Sequence, residues 1–270
     1  MWVRFPPGTQ LQSIYESVAL RPANVQTALR RMTPEESRLN AVQTNTAQRY
    51  RYFIDIVILV AAVFGLEIAA DAIYTPKTAE GGYLFGLIIQ TLELLVACGL
   101  IWFRSERLAD IGLKRPKNWP RTVTIGIFLA AILLIGIYLS EKAGFHRDLS
   151  RFAALQGNLV LTSIVVFYVL IGAGFYEEFM FRGFLMQSLA MFFGGSRAAW
   201  SVALIIQGIL FGASHAYQNP LGMLITGVLG VLLGLTVLWS GKNLWIAIIA
   251  HGLYDASRSV LFYFYGPPHG

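Results

Sequence analysis

Long apolar runs decide most of what this chain can become. Residues 52–74, 83–103, 123–140, 159–176, 198–213, 221–239 and 244–262 are dominated by aliphatic, aromatic and small side chains. Most approach the ~20 residues that an α-helix needs to cross the hydrocarbon of a bilayer. The expectation is an all-α fold, a polytopic transmembrane bundle of about seven spans. Of the 270 residues 56% are hydrophobic and only 13% are charged, a balance that excludes an ordinary soluble domain.

The formal charge of +6 is spread over short stretches between the apolar runs, so it reads as membrane topology and not as a nucleic-acid-binding stripe. Residues 104–121 carry Arg104, Arg107, Lys114, Arg115, Lys117 and Arg121 against Glu106 and Asp110. The positive-inside rule places this loop in the cytoplasm, and two spans before it place the N-terminus there too. Residues 1–51 are polar and punctuated by proline, and read as a cytosolic extension, partly disordered or helical, with a helix start at Thr33-Pro34-Glu35-Glu36. Residues 52–270 form the transmembrane domain. The first thirty residues contain no apolar core of a cleaved secretory signal. Residues 141–151 become an external loop, although Lys142, Arg147 and Arg151 make its charge mixed. Cys98 is the single cysteine, which leaves no intrachain disulfide.

Against this background the sequence Gly174-Phe175-Tyr176-Glu177-Glu178-Phe179-Met180-Phe181-Arg182-Gly183 stands out. Ionisable groups at membrane depth are expensive and mark functional sites by default. Helical residues four apart share a face, whereas neighbours diverge by ~100°. Glu178 therefore meets Arg182, and Glu177 points elsewhere with no local cation. Gln207, Phe211 and His215 follow one another at the same spacing in the fifth run, as do His251 and Asp255 in the seventh. If they converge, one unpaired carboxylate, two imidazoles and a second carboxylate can activate water and stabilise an oxyanion.

Each pattern also has a plain structural reading: an interfacial ion pair, a histidine at headgroup level, and a packing hydrogen bond worth ~0.6 kcal/mol. All three together, in a chain with four histidines, favour a site. Asp55 and Asp71 lie near the ends of the first span, within reach of water. Glu67 and Glu93 lie deeper, without a histidine in their own helices, and read as structurally satisfied. Gly227, Gly230 and Gly234 share one face of the sixth run, where a neighbouring helix can approach closely. Trp102, Trp239 and Trp245 read as interface anchors.

Glu177-Glu178 with Arg182 matches an EExxxR motif, Phe211 with His215 matches FxxxH, and His251 with Asp255 matches HxxxN/D, in that order on successive spans. Over about residues 159–256 the chain resembles the CPBP family of intramembrane proteases, which includes the Rce1-like CAAX prenyl endopeptidases and bacteriocin-processing and immunity proteins. Ile111-Gly112-Leu113, followed by basic residues, is also similar to that family. The resemblance implies an endopeptidase acting on a membrane-embedded or lipidated, CAAX-like substrate. Glu177 and His215 would prepare the water, His251 and Asp255 would stabilise the oxyanion, and Glu178, Arg182 and Phe211 would support the site.

Asp255 departs from the asparagine of the CAAX endopeptidases, and an ionised carboxylate repels an oxyanion. Either Asp255 is protonated, or it orients and charges His251; the i, i+4 contact favours the second. No cofactor is expected. Zinc stays open, with Glu177, His215 and His251 as its ligands, although the HExxH helix of zincins is absent. The competing readings are a non-catalytic membrane immunity or scaffold protein of the same fold and, with less support, a proton-coupled carrier.

Overall fold

The computed structural model describes residues 34–268. Expectations for residues 1–33, and for the side chains of residues 34–45 and Asp71, lie outside the described residues. The chain divides into Met1–Tyr50 and Arg51–Gly270. Within the first unit the described residues, 34–50, are helical.

The described residues contain seven long helices and no strand: α1 (Pro34–Ile73), α2 (Ala79–Phe103), α3 (Trp119–Lys142), α4 (Leu159–Phe192), α5 (Arg197–Ala213), α6 (Asn219–Trp239) and α7 (Trp245–Tyr265). Within α4, residues Leu170–Leu185 form a π-helix. Five helices include a stretch long and apolar enough to cross a bilayer: Thr46–Ala70, α2, α3, α4 and Ala216–Trp239. The other two expected spans differ in kind. α5 has only 17 residues, and α7 carries His251, Asp255 and Arg258 among its apolar positions.

Helix starts follow from local chemistry. Thr78, Asn118, Asn158 and Ser196 each adopt extended backbone and accept a hydrogen bond from the amide three residues on, at 3.1, 2.9, 3.0 and 3.1 Å. Each satisfies one amide that the first helical turn leaves without a partner. α4 continues without a breaker to Phe192, before Gly194 and Gly195, both at positive φ.

Two close crossings bring the polar helices together. A Cβ on Gly174 of α4 would lie 2.9 Å from Gly252 Cα and 3.2 Å from Ile248 O of α7, so only glycine permits this approach. The glycine face of α6 meets α5 as its spacing predicts. A Cβ on Gly212 would lie 3.1 Å from Gly227 Cα, one on Gly230 2.9 Å from Phe211, and one on Gly234 2.5 Å from Leu204.

Asp55 does not reach water as expected. It is 7% exposed and lies 3.6 Å from Arg104, which also pairs with Glu106 at 3.0 Å and donates to Ser188 Oγ at 3.0 Å. The guanidinium packs against the rings of Tyr52 and Phe184, so the charge is neutralised inside the bundle. Glu93 is buried and accepts a hydrogen bond from Tyr176, the residue before Glu177, whereas Glu67 is exposed. Trp102 and Trp239 are exposed near helix ends, and Trp245 packs edge-on against Trp119.

Candidate active site

Every residue of the three motifs belongs to one cluster between α4, α5, α6 and α7. Its hub is Glu178, fully buried, whose Oε1 accepts from Arg182 NH1 and from His251 Nδ1, both at 2.8 Å. The Arg182 contact is the i, i+4 pair that the sequence predicts. The His251 contact is not, because it joins residues 73 positions apart and depends on the Gly174 and Gly252 crossing.

The two glutamates are also closer in direction than α-helical spacing implies. Glu177 Oε2 lies 4.0 Å from His251 Nε2, so both carboxylates approach the same imidazole. The physical reason is the π-helical stretch: wider i→i+5 turns reduce the angle between adjacent residues below the ~100° of an α-helix. Such turns often occur at functional sites.

Arg182 is held on three sides. NH2 donates to Gly230 O at 3.2 Å, and the guanidinium lies 4.2 Å from the Phe211 ring centroid. Gln207, fully buried, donates to the same Gly230 carbonyl at 3.0 Å. It thus braces the cation site instead of facing the cavity with His215. Phe211 separates Arg182 from the imidazoles, its centroid 4.9 Å from His215 and 5.8 Å from His251.

His251 Nε2 lies 3.3 Å from Asp255 Oδ2. Both ring nitrogens therefore face carboxylates, an arrangement that suits an imidazolium with two donors. His215 lies just past the end of α5, where its Nδ1 is 2.8 Å from Phe211 O and 3.2 Å from Ser214 Oγ. Its Nε2 is the nitrogen left for other partners, and the ring is close enough to Glu177 for electrostatic interaction. Glu177 Oε2 is buried without a hydrogen-bond partner among the described residues.

His215, His251 and Asp255 line a cavity of about 40 Å³, together with Arg147, Gln218, Thr226 and Tyr254. A water needs roughly 10–15 Å³ by this measure, so the cavity admits water at the imidazoles. Sequence reasoning took Arg147 for a loop charge, and nothing in its local pattern signals otherwise.

Among the described residues no group of three or more His, Cys, Asp or Glu side chains is arranged to hold a metal ion. Glu177, His215 and His251, the open zinc set, are not among such groups, and the His251 nitrogens are directed at the carboxylates of Glu178 and Asp255.

The helices and the buried carboxylate–imidazole cluster define a multi-pass membrane protein with a polar site inside its bundle. Residues 159–257 match the model of the Rce1-like family, described as type II CAAX prenyl endopeptidase Rce1-like. No curated protein and no solved structure matches the chain.

Proposed function

We propose that the protein is a glutamate-dependent intramembrane endopeptidase that hydrolyses a peptide bond of a membrane-embedded or lipidated, CAAX-like substrate. The observation that carries this reading is the approach of Glu177 Oε2 to 4.0 Å from Nε2 of His251, a ring that with His215 lines a cavity large enough for water. That separation is too long for a direct hydrogen bond, so the Glu177 oxygen is not committed to the ring.

Glu177, assisted by His215, takes a proton from the water as its oxygen attacks the scissile carbonyl carbon. His251 Nε2–H turns from Asp255 to the developing oxyanion, and the 3.3 Å contact it gives up is a long one. Glu178 holds the ring from its other nitrogen, and Arg182, packed on the Phe211 ring, holds Glu178. Collapse of the tetrahedral intermediate breaks the C–N bond, and the proton held by Glu177 or His215 passes to the leaving amine. The products are one carboxylate and one amine.

The same reading keeps the N-terminus in the cytoplasm.

The test is cleavage of a panel of lipidated and transmembrane peptides by the purified protein. Glu177→Gln and His215→Ala are expected to lose activity; variants that cleave as fast as wild type would overturn the proposal. A chelator in the same assay leaves the rate unchanged if hydrolysis needs no metal.

A further inference from the structure

Arg147 is a buried cation on the cavity wall that the proposed hydrolysis does not use. It is 6% exposed, and it comes from the loop between α3 and the 3-10 helix Ser150–Leu155. That loop is pinned beside His215, since Asp148 N donates to Gln218 O at 3.1 Å and Asn219 Nδ2 to His146 O at 3.4 Å.

The guanidinium is poorly matched by its own chain. NH1 donates to Gln218 Oε1 at 3.3 Å, NH2 to Tyr254 Oη at 3.4 Å, and Glu141 Oε1 lies 3.8 Å from NH2. Nε is buried with no hydrogen-bond partner among the described residues. Charge-assisted bonds are typically about 2.7–2.9 Å. Glu141 instead grips Arg258 with both oxygens, at 2.7 and 3.1 Å. One carboxylate thus serves two guanidinium groups, and Arg147 has the weaker share of it. Asp255, the acid on the cavity wall, is turned to His251 at 3.3 Å. A buried cation with unfilled donors is costly unless a partner arrives.

We infer that Arg147 is a specificity-determining residue that receives a carboxylate of the peptide substrate, either the free C-terminal α-carboxylate or an acidic side chain close to the scissile bond. The inference rests on the proteolytic reading of the site. The planar guanidinium fork suits a carboxylate in geometry and charge, and the cavity volume accommodates one beside the imidazoles. Scission is then confined to bonds a short distance from a negative charge.

The experiment uses the full-length protein and one peptide in three forms: free acid, C-terminal amide, and amide with an aspartate at the last position. Wild type is expected to show a KM about tenfold lower for the acid than for the amide, the ratio that one well-made charged contact supplies. In Arg147→Gln the ratio falls to about one, and Arg147→Lys, which keeps charge without the fork, lies between. Strong cleavage of the aspartyl amide identifies a side-chain carboxylate as sufficient; weak cleavage identifies the terminal one. Equal KM for acid and amide in wild type, or an unchanged preference in Arg147→Gln, overturns the assignment. If wild type cleaves none of the peptides, the hydrolytic reading fails. Binding of the acid and amide forms to wild type and Arg147→Lys then judges the carboxylate site independently.

Discussion

Two buried charge clusters occupy this bundle, and they differ in whether they reach the cavity at the histidines. Around Arg104 the cation meets Asp55 and Glu106, donates to Ser188 and lies against the rings of Tyr52 and Phe184. None of these five partners lines the cavity at the histidines. Around Glu178 a similar ion pair is extended by a histidine, which in turn faces two further carboxylates and, with Asp255, lines that cavity. A charge cluster remote from any such space holds helices together. One that reaches space for water through its histidine and aspartate is prepared for chemistry.

The largest expected break of that contrast is Glu177→Gln, which should lower cleavage by about 10²–10⁴-fold, the usual contribution of a general base. Thermal unfolding in detergent should stay close to wild type, since no hydrogen bond to its Oε2 is lost. Arg182→Met should instead destabilise the fold by about 3–5 kcal/mol, because it strips the cation from a fully buried carboxylate; denaturant unfolding reads this directly. Arg104→Met should cost less, about 1–3 kcal/mol, because the Glu106 side chain is 18% exposed and can turn to water. Its folded fraction should retain full turnover, measured per mole of folded protein; loss of turnover would erase the distinction between the clusters.

The smallest effect concerns acid stability at the loop beside the site. Ser150 donates to Asp148 through its hydroxyl at 2.7 Å and its amide at 3.0 Å, which holds the Asp148 carboxyl below the usual carboxylate range. A depressed folded value means that the contribution is present above the unfolded pKa of about 3.9 and is lost as pH falls through the folded value. Asp148→Asn should therefore remove a small part of the acid-side loss of stability. Melting curves of both proteins from neutral pH to pH 3 would show it; parallel curves would deny the carboxylate any such role.

What could be read from the sequence follows how near the interacting residues are along the chain. The helices were legible because the bilayer requires apolar runs of a set length, and Glu178 with Arg182 and His251 with Asp255 because helical spacing fixes faces. The glycine face of α6 was legible for the same reason. Contacts between helices were not: spacing says nothing about which imidazole Glu178 will meet. Gly174 and Gly252 marked the crossing, but only in combination, and the π-helical turns that bring Glu177 toward His251 leave no clear compositional mark. Asp55 was misjudged because its partner, Arg104, belongs to another helix. Arg147 was overlooked because a basic residue in a short loop ordinarily points to solvent.

The sharing of Glu178 Oε1 by Arg182 and His251 has a consequence for how such a chain can evolve. One atom joins the pair that holds the helix to the ring that faces the cavity, so substitutions on either side are not independent trials. Variants at Arg182 and His251 should combine non-additively, and neutral drift on one side is closed unless the other changes with it. A lineage that gave up catalysis would keep this oxygen and its two donors for folding alone, and would retain an imprint of the site after its chemistry had gone.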